Sequence, residues 1–184
     1  MSALKLEWDW DSVEVSEREE YKRLVPGGYV CRITKAEDHP DNKYVYFEYD
    51  IAEGEYKGNG MNCLERNGFN PLNFRQYYTP KAAQMFKLFI NRINDSNHGT
   101  AFDAKKDDVS KLVGKVVGMV LGEQEYRNKN GEVKTRFKVA RTMTPDEIHA
   151  GKFKVPEKEL LKEEAPAAPV WSAVADTDDD QLPF

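Results

Sequence analysis

Lys43-Tyr44-Val45-Tyr46-Phe47-Glu48-Tyr49-Asp50-Ile51 alternates without a break. Val45, Phe47, Tyr49 and Ile51 fall on one side of an extended chain, and Tyr44, Tyr46, Glu48 and Asp50 on the other. A period of two carried by aromatic and β-branched residues predicts a strand with one face in a core. The stretch before it has the same form. After the turn signal Pro26-Gly27-Gly28, Tyr29, Cys31 and Ile33 share one side of residues 29–36, and Val30, Arg32 and Thr34 the other. His39-Pro40-Asp41-Asn42 is a turn that joins the two strands.

Downstream, Gly54, Gly58 and Gly60 loosen the connection, and a short third strand is predicted around residues 61–64. Residues 67–78 are irregular and aromatic, with Phe69, Pro71, Phe74, Tyr77 and Tyr78, and Phe69 and Phe74 are expected in core or loop packing. A helix follows. Thr79 is its N-cap, Pro80 suits its first turn, and Ala82, Met85, Phe86, Phe89, Ile90 and Ile93 recur at helical spacing until Asn97 to Gly99 stop it. Residues 109–112 add one helical turn.

Residues 115–126 form a long strand in which Gly118 and Gly122 predict a bulge or sharp bend. Asn128-Lys129-Asn130-Gly131 is a hairpin turn, because Asn-Gly tolerates positive φ. Residues 133–142 return as the last strand, and Thr144-Pro145-Asp146-Glu147 opens a short helical turn. The order strand-strand-strand-helix-strand-strand predicts a mainly β fold, an OB-like five-stranded barrel with the helix plugging one end. An SH3-like barrel or a plain β-sandwich accounts less well for a helix of this length at that place.

Charge is segregated. Residues 163–184 carry six acids and no Lys or Arg, and residues 1–20 carry seven acids and two bases. Removing both ends from the totals of 27 bases and 32 acids leaves 25 and 19 in residues 21–162, a surplus of six positive charges beneath an overall −5. The expected organisation is an acidic arm over residues 1–20, a basic domain over 21–162, and a disordered acidic tail over 163–184. Ala165-Pro166-Ala167-Ala168-Pro169 is a spacer within that tail. Trp8 and Trp10 in the arm could cover a hydrophobic patch or meet another subunit.

No apolar run nears the roughly 20 residues that span a bilayer, and the acidic start is unlike a signal peptide. No membrane partner and a cytoplasmic location are expected. Cys31 and Cys63 lie far apart, and His39, His98 and His149 follow no ligand spacing, so reduced cysteines and no metal are expected. There is no P-loop, GxSxG or HExxH. Asp103, Asp107 and Asp108 could hold Mg²⁺ in a nuclease, but Lys105 and Lys106 beside them favour a solvated loop. No catalytic residue, enzyme activity or cofactor is expected.

The chain closes on Asp176-Thr177-Asp178-Asp179-Asp180-Gln181-Leu182-Pro183-Phe184. Pro183 and Phe184 make a rigid apolar plug, their carboxylate can meet a cation at a pocket's edge, and Asp178, Asp179 and Asp180 steer the tip toward a basic rim. These residues resemble the tip of bacterial single-stranded DNA-binding proteins, with Gln181 as a departure between the aspartates and Leu182. The resemblance implies that Asp178, Asp179, Asp180, Leu182, Pro183 and Phe184 bind replication, recombination and repair proteins of host or phage.

The body differs from the bacterial domain. Tyr21-Lys22-Arg23-Leu24-Val25-Pro26-Gly27-Gly28-Tyr29-Val30, the alternating stretch quoted first, Leu121-Gly122-Glu123 and Phe153-Lys154-Val155-Pro156 resemble a phage family catalogued as a domain of unknown function. That likeness implies phage DNA replication or recombination, in the cytoplasm of a bacterial host.

Coating a single strand requires a cationic path and aromatic faces for stacking. Alternation offers Arg32, Lys43, Tyr44, Tyr46 and the row Lys134, Arg136 and Lys138. Val133, Phe137 and Val139 lie on the opposite side of that last strand. Arg66, Arg75, Tyr77, Tyr78, Tyr126 and Arg127 are expected in flanking loops. The bland alternatives are Tyr44 and Tyr46 packed under a loop, and the cation row as a solvated face that discourages edge pairing. The expected function is therefore a single-stranded DNA-binding protein, possible as a homo-oligomer, whose acidic tail competes with DNA for the basic surface. The alternatives are an adaptor or decoy that only presents the tip, and a recombination mediator using the same tip.

Overall fold

A computed structural model describes residues 22–162. The acidic arm, Trp8, Trp10 and the whole acidic tail with its tip lie outside the described residues.

Five strands form one open antiparallel sheet: β1 (Gly27–His39), β2 (Tyr44–Ile51), β3 (Asn73–Tyr77), β4 (Val116–Arg127) and β5 (Val133–Met143), in the order β3-β2-β1-β4-β5. The alternation sets the register. Ile33 stands opposite Tyr49, Ala36 opposite Phe47, and Cys31 opposite Val117, so the apolar positions of neighbouring strands meet on one face. Across that face lies α2 (Ala83–Ser96), which buries Phe89, Ile90 and Ile93. Phe89 meets Phe47 and Phe74 edge-on, with ring centroids 5.3 and 5.5 Å apart. Each such side chain removed from water stabilises the fold by roughly 1.5–3 kcal/mol.

Asn97, just past α2, replaces a strand partner for the start of β4. Its amide donates to the Val116 carbonyl at 2.8 Å and accepts from the Val116 N–H at 2.9 Å. Thr79 heads a 3₁₀ turn (Pro80–Ala82) without a side-chain cap bond, and α2 begins at Ala83. The expected turn at residues 109–112 is present as the 3₁₀ turn Val109–Leu112.

The element order departs from expectation around residues 61–64. They are helical, within α1 (Asn59–Asn67), and the sequence of elements is strand-strand-helix-strand-helix-strand-strand. Cys63 is buried while Met61, Asn62, Glu65 and Arg66 are exposed, a helical stripe too short for alternation to distinguish from a strand. Asp50 fixes where that helix starts, accepting the Gly60 N–H at 2.8 Å. Gly60 itself sits so close that a Cβ would lie 2.8 Å from Asn70 Oδ1. The third strand is Asn73–Tyr77, inside the stretch expected to be irregular. Buried Asn70 sets it up, donating to the Tyr49 carbonyl and accepting from the Leu72 N–H, each at 2.9 Å.

The glycines of β4 also have a different role from the one expected. The register shift falls between Val120 and Leu121, not at a glycine. Gly118 and Gly122 instead admit neighbours: a Cβ would lie 2.6 Å from Ile148 at the first and 2.6 Å from Pro156 at the second. At Gly28 on β1 it would lie 2.4 Å from the Phe153 ring. Ile148 belongs to α3 (Pro145–His149), which the expected capping box opens: Thr144 accepts from the Glu147 N–H, and Glu147 accepts from the Thr144 N–H.

The segment after α3 runs back over β1 and β4. Pairing of β1 with β4 ends at Gly27 opposite Leu121. Beyond that point Glu159 takes the freed edge, accepting from the Glu125 N–H at 2.8 Å and donating to the Glu123 carbonyl at 2.9 Å. No helix among the described residues is long and apolar enough to cross a membrane.

Candidate nucleic-acid interface

The two edge strands of the sheet, β3 and β5, both face one groove of about 990 Å³. One wall carries Tyr46, Arg75 and Tyr77, the other Tyr126, Arg136 and Lys138, and Phe74, Phe89 and Phe137 line its apolar part.

Register explains the first wall. Tyr46 stands opposite Arg75 and Tyr44 opposite Tyr77, so two tyrosine–partner pairs share the outward face of β2 and β3. The Arg75 guanidinium lies 5.0 Å from the Tyr44 ring centre. Tyr44 also stacks on His39 at 4.7 Å and tilts against Tyr77 at 5.4 Å. Tyr46 donates its hydroxyl to Glu48 at 3.1 Å. Burial, with the Glu48 charge beside it, pushes the Tyr46 hydroxyl up to about 12. It stays protonated at neutral pH and presents an uncharged ring to the groove.

The second wall comes from the β4–β5 hairpin. Its turn is as expected: the Asn128 side chain accepts from the Asn130 and Glu132 N–H groups, and Gly131 has φ 81°. Register places Lys134 opposite Tyr126, Arg136 opposite Gln124 and Lys138 opposite Gly122. Arg136 donates to Gln124 Oε1 at 3.2 and 2.9 Å and lies 5.3 Å from the Tyr126 ring centre.

Cations outnumber acids along the groove. Arg23, Arg75, Arg136, Lys138 and Arg141 line it against Glu123 alone. Arg23 reaches Glu123 at 3.6 Å, and Lys138 reaches Glu159 at 2.7 Å. Arg141 is in no ion pair among the described residues. In a concave surface of low dielectric, such a surplus focuses a positive potential on whatever enters.

Six of the expected DNA-binding residues thus meet in the groove: Tyr46, Arg75, Tyr77, Tyr126, Arg136 and Lys138. Arg75 and Tyr77 lie on β3, and Tyr126 and Arg127 end β4, rather than occupying loops. Tyr44 adjoins the groove through Arg75 and Tyr77, and Lys134 adjoins it opposite Tyr126, with Glu132 at 3.5 Å. Three others lie elsewhere. Arg32 stands mid-sheet opposite Asp50, Lys43 occupies the turn before β2 at φ 54°, and Arg66 is on α1.

Alternation did not single out Arg23, Phe69, Met85 or Arg141. Phe69 and Met85 are each 60% exposed and line the groove, although both were expected in apolar packing. Arg141 is the more instructive case. Strict alternation after Lys134, Arg136 and Lys138 leads to Ala140. The register shift absorbs Ala140 and sets Arg141 opposite Val120, two residues from Gly122, so Arg141 continues the row of cations.

Asp103, Asp107 and Asp108 hold their own loop. Asp107 accepts from the Asp103 N–H at 2.8 Å and pairs with Lys111, and Asp108 accepts from the Ser110 N–H at 2.8 Å. Those bonds hold both carboxyls below the usual range.

No protein-family model matches the chain, and no curated protein matches it.

Proposed function

We propose that this chain is a single-stranded DNA-binding protein that seats the strand in the groove between β3 and β5. The observation that carries the reading is the pairing of exposed or half-exposed aromatic rings with cations on both walls. Tyrosine faces offer stacking that does not depend on base identity, worth roughly 1–3 kcal/mol per base, and the arginines meet the phosphates while Glu159 restrains Lys138. In this reading the open sheet is an OB-like fold whose seam, between the first-half edge β3 and the second-half edge β5, remains unclosed as the binding cleft. The antiparallel order and the helix α2 under the sheet support it.

The tip Asp178-Asp179-Asp180-Gln181-Leu182-Pro183-Phe184, by its likeness to bacterial single-stranded DNA-binding proteins, would recruit replication, recombination and repair proteins. Phage DNA metabolism in a bacterial cytoplasm is the setting that the sequence resemblances favour. The chain needs no cofactor for such a role.

The test is a titration of fluorescently labelled oligothymidine with the full chain and with Tyr46→Ala/Tyr77→Ala, its fold checked by circular dichroism. A folded double variant with at least tenfold weaker binding supports the groove. Unchanged affinity in the folded variant removes it as the binding site.

A further inference from the structure

Arg141 belongs to two concave surfaces. Besides the groove, it lines a separate notch of about 510 Å³ with Val120, Ala140, Gly151, Lys152, Phe153 and Lys154. The sequence singled out Phe153-Lys154-Val155-Pro156 only for its resemblance, and the function proposed above makes no use of it.

The notch is held in place by packing. Phe153 sits against Gly28, where only the absence of a Cβ gives its ring room, and Pro156 does the same at Gly122. The backbone between them is therefore pinned to β1 and β4, with Lys152 and Lys154 on either side of the anchored ring. Lys152, Lys154 and Arg141 are all exposed, and none is in an ion pair among the described residues. Glu147 is close enough for Lys152 to add to the lowering of its carboxyl, after the Thr144 backbone N–H and Arg92. Three cations line this concavity, and one of them, Arg141, also lines the cationic groove.

We infer that a strand longer than the groove leaves it over Arg141 and lays its next phosphates in this notch, against Lys152 and Lys154. The inference rests on the single-strand reading above and extends it to a second phosphate site. The ligand class is the polyanionic backbone itself. The notch offers only Phe153 as an aromatic, and that ring is committed to Gly28, so base identity should have no influence here.

The experiment compares the full chain with Lys152→Ala/Lys154→Ala, two exposed side chains whose loss leaves Phe153 and Pro156 in place. Oligothymidines of roughly 5 and roughly 20 nucleotides lie near the lower limit of, and beyond, the site sizes usual for one such fold. Both proteins should bind the short strand equally. The long strand should bind the unaltered chain more tightly than the short one, and the variant should lose most of that gain, about fivefold or more. The slope of log affinity against log salt for the long strand should shrink by about 1.4, for two phosphates no longer neutralised. Equal long-strand binding by the two proteins overturns the inference, and so does a loss of the same size at both lengths, which marks a diffuse field. If the unaltered chain binds neither strand, the groove reading fails first and takes this one with it.

Discussion

Lys138 is held by Glu159: its ammonium donates to both carboxylate oxygens, at 2.7 and 3.1 Å. The same carboxylate accepts from Gln124 at 2.8 Å, and Gln124 in turn accepts from Arg136. The segment that follows α3 therefore sets an acid beside two cations of the groove; under the single-strand proposal that acid competes with a phosphate for Lys138.

That relationship predicts a gain of function. Glu159→Gln keeps the Gln124 contact and removes the charge, so Lys138 is released to the strand. Affinity for oligothymidine should rise a few-fold at low salt, and the gain should fade as salt screens the pair. An affinity unchanged at low salt would mean that Lys138 lies off the strand's path.

Position, not total charge, should decide which arginines count. Arg141→Ala should weaken binding several-fold and reduce the salt slope by about 0.7, the loss of one phosphate contact. Arg32→Ala and Arg66→Ala remove the same charge away from the groove and should change the affinity by less than about twofold. Equal losses from all three, in parallel titrations, would point to a general attraction and not to a groove.

The contrast between those arginines shows how much of the site was legible in the sequence. Alternation in residues 43–51 and 133–138 placed Tyr46, Arg136 and Lys138 on one side of their strands, and the structure brings all three to the groove. Arg32 alternates just as well, but its strand pairs at mid-sheet while the groove lies between the edges. Strand order decides that, and it is a long-range property. Arg141 was hidden for a local reason, since the bulge at Ala140 changes the phase of the alternation. The same limit explains α1 and β3. Around residue 63 a single buried side chain fits either period, and β3 needs Asn70 to align it with Tyr49, a contact 21 residues apart.

The glycines of β4 give a test of the fold itself. At Gly118 a Cβ would also lie 2.9 and 3.0 Å from the Thr144 and Met143 carbonyls, backbone atoms that cannot easily move. Gly118→Ala should destabilise by about 1–3 kcal/mol, read as a lower urea midpoint. At Gly122 the neighbours are ring atoms of Pro156 alone, on a segment outside the sheet, so Gly122→Ala should cost less. The reverse ranking would contradict the packing described for these positions.

The capping box at Thr144 should appear in the pH dependence of stability. Thr144→Ala should cost about 1 kcal/mol near neutral pH. The backbone N–H of Thr144 is the main cause holding the Glu147 carboxyl below its ordinary value, with Arg92 adding to it. A depressed carboxyl stabilises the fold above its unfolded-state pKa, and this is lost as pH falls through the lower folded value. The gap in stability between the unaltered chain and Glu147→Gln should therefore be widest near neutrality and narrow on acidification below about pH 4. A gap that stays constant across that range would show that Glu147 acts through shape alone.

The most direct test of the central claim is an anisotropy titration of the full chain with labelled oligothymidine and a duplex of equal length, at two salt concentrations. The account predicts tight binding to the single strand, at least tenfold weaker binding to the duplex, and a loss of affinity at the higher salt. Equal affinity for the two forms, or binding to neither, would contradict it.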